Sequence, residues 1–78
     1  MPPKLPRTSG EETIRVLQHL DFVIVRQRGS HVVLKKQDAD SKEEITCVVP
    51  LHHELAIGTL RGILRQARIT PEKFMKNL

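Results

Sequence analysis

One histidine sits beside cations and a glycine in Arg26-Gln27-Arg28-Gly29-Ser30-His31, the run best suited to chemistry in this 78-residue chain. Imidazole exchanges protons near neutral pH, and guanidinium groups donate charged hydrogen bonds to phosphate oxygens. Such groups can cut RNA without a metal. A base removes the 2′-hydroxyl proton, cations stabilise the crowded phosphate, and an acid protonates the departing 5′-oxygen, leaving a cyclic phosphate or a 3′-phosphate. His31 is the candidate base in that scheme, a role worth about 10² to 10⁴ in rate. Arg26 and Arg28 are candidate phosphate contacts, as is Lys35, two pairs along from His31 on the same strand face. The same residues also fit a half-exposed strand histidine that only aids solubility, and they do not identify the acid.

Other constellations carry less. Arg61, Arg65 and Arg68 fall at i, i+4 and i+7, a stripe that could grip phosphates, bind an acidic partner, or form the solvated face of an amphipathic helix. His52 and His53 lie near Cys47 and Glu54, but adjacent histidines point apart, and the spacing matches neither a Cys/His zinc cluster nor His-Glu-x-x-His. No metal site is therefore expected. Cys47 alternates with Ile45 and Val49 and reads as a small core group. The chain has no glycine-rich phosphate loop and no serine-histidine-acid arrangement.

The elements that must position these residues come from a small domain. A chain of this length buries only about 60% of its unfolded surface, and with two Phe and no Trp or Tyr its core must be Leu, Ile and Val. That argues against a buried organic cofactor, and none is expected. A net charge of +4 suits a polyanionic partner. A single cysteine allows no internal disulfide, the N-terminus lacks a signal-peptide apolar core, and no run reaches membrane-spanning length. The expected setting is the cytoplasm, with no membrane partner.

Three prolines in the first six residues make residues 1–8 an extended or disordered lead-in, followed by one domain over residues 9–78. Ser9-Gly10-Glu11-Glu12 spells a capping box for a helix to about Leu20, with Ile14, Val16, Leu17 and Leu20 on one face. Phe22 to Val25 and Val32 to Leu34 read as strands joined across Arg26 to His31, and Glu44 to Val49 as a third, ended by Pro50. A loop over residues 51–56 leads to a helix from about Gly58 or Thr59 to Ala67. Thr70-Pro71-Glu72 then starts a short closing helix. The order is α-β-β-β-α-α, an α+β domain with a three-stranded antiparallel sheet and helices on one face.

These residues resemble the HicA, or YcfA-like, mRNA interferase toxins of HicA/HicB toxin–antitoxin pairs. The resemblance runs from about Ser9 to Leu78. It is carried by the helix leading to Phe22, the Arg26 to His31 run, Val49-Pro50-Leu51-His52, Gly58-Thr59-Leu60, and Ile63 to Ala67 with Ile69 and Phe74. Two residues and one stretch depart from the pattern or its variants: Asp21 stands where relatives often have glycine, Val32 where some carry a second histidine, and the stretch after His52 lacks the common glycine-containing loop. The resemblance implies a double-stranded-RNA-binding-domain-like fold, metal-independent endoribonuclease activity on mRNA, and a HicB-type antitoxin partner. It implies that His31 is the catalytic histidine and that Gly29 and Ser30, which match its family neighbours, are RNA-binding residues beside it. Two other expectations stay open on the residues: a non-catalytic RNA-binding module of the same fold, and a degenerate chain that only binds a partner.

Overall fold

Ser9 starts the first helix through the capping box its neighbours spell. Its hydroxyl accepts the Glu12 N–H at 3.0 Å, and its own N–H donates to the Glu12 carboxylate at 3.0 Å, a bond that holds that carboxyl below its ordinary pKa. Helix α1 (Gly10–His19) buries Thr13, Ile14, Val16 and Leu17. The computed structural model describes residues 4–78, so the first three residues of the expected lead-in lie outside the described residues. Residues 4–8 have no regular secondary structure, yet Leu5 joins the core, and the Thr8 carbonyl accepts the Leu55 N–H at 2.8 Å.

Helix α1 stops in a Schellman turn with Asp21 at φ 73°, where Asp21 N–H donates to the Gln18 carbonyl at 3.1 Å and Phe22 N–H to the Leu17 carbonyl at 3.0 Å. This left-handed position explains physically why glycine suits it. An aspartate there carries a steric cost that glycine lacks, offset in part by the greater entropy of an unfolded glycine. We expect Asp21→Gly to raise stability by about 0.5–1 kcal/mol, read as a higher midpoint in thermal unfolding. A lower midpoint would contradict the assignment.

Three strands form one antiparallel sheet in the order β1-β2-β3: β1 (Val23–Arg28), β2 (His31–Gln37) and β3 (Glu44–Pro50). Five strand boundaries differ from the sequence expectation: β1 runs from Val23 to Arg28, β2 from His31 to Gln37, and β3 on to Pro50. Arg26 to Arg28 belong to β1 rather than to the connection, because Gly29 takes φ 59° and closes the hairpin with Gly29 and Ser30 alone. A positive φ at the first central residue is the type II′ pattern, whose twist matches the strands. Pro50 is the last residue of β3, paired with His31, so pairing runs one residue further than expected.

Side chains alternate across the sheet. Val32, Leu34, Ile45, Cys47 and Val49 are buried on the inner side, where α1 and α2 (Ile57–Ala67) pack against β3. Helix α2 buries Leu60, Ile63, Leu64 and Ala67. Helix α3 (Pro71–Lys76), capped by the Thr70 hydroxyl on the Lys73 N–H, drives Phe74 into the core. This is the expected α-β-β-β-α-α arrangement of the double-stranded-RNA-binding-domain-like class, with one sheet face covered by helices.

Burial pushes the Cys47 thiol up to about 11 from an ordinary value of 9.0. The folded state therefore favours the neutral thiol. That contribution to stability is whole below about pH 9 and is lost as pH rises toward 11. At pH 8 the thiolate fraction should be about 100-fold below that of a free cysteine, so an alkylating reagent should modify Cys47 only once denaturant unfolds the chain. Rapid labelling of the folded protein would contradict this.

Candidate catalytic face of the sheet

Pairing fixes which side chains share the uncovered face. Residues opposite one another in an antiparallel ladder point to the same side. Arg28 pairs with His31, and His31 with Pro50; Arg26 pairs with Val33, and Val33 with Val48; Val23 pairs with Lys35, and Lys35 with Thr46. Since Val32 and Leu34 point into the core, His31, Val33 and Lys35 point away from the helices. Arg26, Arg28, His31 and Lys35 thus stand on one face.

The phase that puts both arginines there comes from a β-bulge. The register shifts between Ile24 and Arg26, leaving Val25 as the extra residue. Without the shift, Arg26 would fall on the inner side and Val25 outward. With it, Arg26 and Arg28 share the outer face with His31. The sequence hid this feature, because Val23-Ile24-Val25-Arg26 carries no glycine or proline to mark a bulge.

His31 is exposed at the strand end, beside the Gly29-Ser30 turn. The turn is held on both sides: Gln27 Nε2 donates to the Gly29 carbonyl at 3.1 Å, and Leu51 N–H donates to the Ser30 carbonyl at 2.6 Å. The second bond ties the hairpin to the loop over residues 51–56. That loop is fastened in turn to α1, whose Gly10 N–H donates to the His52 carbonyl at 2.9 Å. A Cβ on Gly10 would run into the Pro50 carbonyl oxygen, so glycine is required for this approach. Gly10 is the positioning residue that sequence reasoning passed over; its signal is a glycine at the first helical position, where a better helix former would serve the helix.

The remaining candidates are placed differently. Lys35 shares the face but is held by Glu44 at 3.0 Å, an exposed pair. Arg61 and Arg65 are exposed on α2, beside Leu64, Ile69 and Pro71, so the sheet stands between them and His31. The three-arginine stripe is broken, because Arg68 lies past the helix end at φ 59° and ψ 41° and bonds Glu43 at 2.9 Å. Neither Arg26 nor Arg28 has an acidic partner among the described residues. Among those residues no group of three or more His, Cys, Asp or Glu side chains is placed to hold a metal ion, and His52 and His53 are exposed. No helix of the described residues is long and apolar enough to cross a membrane.

The outer face therefore carries one exposed imidazole and two exposed guanidinium groups with no acidic partner among the described residues. A family model described as the HicA toxin of bacterial toxin–antitoxin systems matches residues 10–69. No curated protein matches the chain.

Proposed function

The chain belongs to the HicA toxin family of bacterial toxin–antitoxin systems, and from that premise we propose that it is a metal-independent endoribonuclease that cuts mRNA in the cytoplasm and is neutralised by a HicB-type antitoxin. The observation that carries this reading is the shared outer face of Arg26, Arg28 and His31, set by the bulge at Val25.

His31 takes the proton from a 2′-hydroxyl. The 2′-oxygen attacks phosphorus, the bond to the 5′-oxygen breaks, and that oxygen takes its proton from solvent. The product ends are a 2′,3′-cyclic phosphate and a 5′-hydroxyl. Arg26 and Arg28 hold the phosphate and offset the charge that builds on its oxygens as phosphorus becomes five-coordinate. Gly29 and Ser30 let the backbone turn so that His31 stands at the strand end within reach of an RNA strand. Lys35 serves RNA further along the face, released from Glu44 by competition with phosphate. Arg61 and Arg65 serve RNA that passes beyond the sheet to the helical side, as sequence-independent phosphate contacts.

The mechanism needs the 2′-hydroxyl and no metal. In EDTA, the protein should cut a single-stranded RNA and leave the same sequence carrying 2′-O-methyl groups whole. Cleavage of both, or of neither unless magnesium is restored, would overturn the proposal.

A further inference from the structure

Strand β1 is exposed along its whole length, unlike β2 and β3. Val23, Ile24 and Val25 are 62, 43 and 52% exposed, three branched aliphatic residues in a row. Ile24 pairs with Leu34 and so points to the helical side, yet it stays open: the helical layer packs against β3, at the other side of the sheet, and β1 projects past it. Among the described residues the outer edge of β1 has no neighbouring strand, which leaves backbone N–H and C=O groups free to template pairing.

The charge on this edge selects an occupant. On the outer face β1 presents Arg26 and Arg28, neither paired among the described residues, and the strand has no acidic residue. A second copy of this chain would bring two more arginines to the same edge. A segment that alternates acidic and aliphatic residues fits both sides at once, since its alternate side chains fall on opposite faces.

We propose that β1 is a strand-addition site: an extended segment of a partner protein pairs with its free edge, placing acidic side chains beside Arg26 and Arg28 and aliphatic ones beside Ile24. If the chain is the ribonuclease described above, the segment belongs to the antitoxin. It would then silence the toxin by occupying the two guanidinium groups that hold the phosphate, without touching His31. Cross-strand pairs of opposite charge also fix which segment pairs and in what register.

The test is a titration of the full, isotope-labelled chain with a blocked eight-residue peptide of alternating glutamate and valine, followed at each backbone amide to millimolar peptide. We expect saturable shifts and slowed hydrogen exchange confined to β1. The doubly substituted R26E/R28E chain should bind at least tenfold more weakly, and a lysine–valine peptide should not bind the parent. Absence of saturation, equal binding of the lysine–valine peptide, or shifts on β3 or the helices would overturn the proposal. Shifts at β1 that grow with protein concentration alone would also overturn it, assigning the edge to a second copy. The readout uses no RNA, so a chain that binds the peptide but cuts nothing would sink the ribonuclease reading and leave the strand-addition site standing.

Discussion

His31→Ala should fold like the parent and lose RNA cleavage by about 10² to 10⁴. The imidazole is exposed, it makes no hydrogen bond among those of the described residues, and its backbone place in β2 does not depend on the side chain. Removing it leaves no cavity, so stability should change by less than about 0.5 kcal/mol. The substitution also leaves Arg26 and Arg28 in place, so RNA affinity should fall far less than rate. That separation makes the variant informative: a mere solvated histidine would cost nothing in either measurement. Lost cleavage with a parent-like melting curve and near-parent RNA binding is the expected pattern. Unchanged cleavage would remove His31 from the mechanism.

Phe74→Ala should be the most damaging single core change outside the site. Phe74 is fully buried, it is one of only two aromatic residues in the chain, and it is the buried residue of α3. Truncating such a side chain costs about 3–5 kcal/mol, from lost transfer energy and the cavity left behind. A chain of this size has about 4–12 kcal/mol of total stability. The variant should therefore melt at least about 12 °C lower, or fail to fold at physiological temperature. Phe74→Leu keeps most of the volume and should lose less than about 1.5 kcal/mol. Near-parent stability of the alanine variant would mean that α3 is a dispensable appendage. The family match ends at residue 69, before α3, so this test also asks whether the domain extends past the matched region.

The elements were legible where local chemistry and pattern agree. Ser9 to Glu12 and Thr70-Pro71 announce helix starts through caps that the structure contains in full. The alternation of Ile45, Cys47 and Val49 placed the inner face of β3 correctly. The candidate face was legible only in part. Lys35 follows His31 by four residues on one strand, so simple alternation puts them together. Arg26 and Arg28 reach the same face through the bulge at Val25 and the two-residue turn at Gly29 and Ser30, and the bulge depends on pairing with β2 rather than on local sequence. The arginine stripe failed for the opposite reason. Helical periodicity was extended one residue too far, to the left-handed Arg68, where α2 has already ended. Gly10 could not be read as a contact with Pro50 because their approach is set by the packing of α1 on the end of β3.

The Val25 bulge also links fold to function through one strand. It keeps Arg26 and Arg28 in phase with His31 on a strand that is exposed along its whole length.

Incubating parent and His31→Ala side by side with one RNA in EDTA and analysing the product ends decides whether His31 drives metal-free cleavage. Cleavage by the parent alone is expected, leaving 2′,3′-cyclic or 3′-phosphate ends and 5′-hydroxyl ends. Equal cleavage by both proteins, or parent products with 5′-phosphate and 3′-hydroxyl ends, would contradict that mechanism.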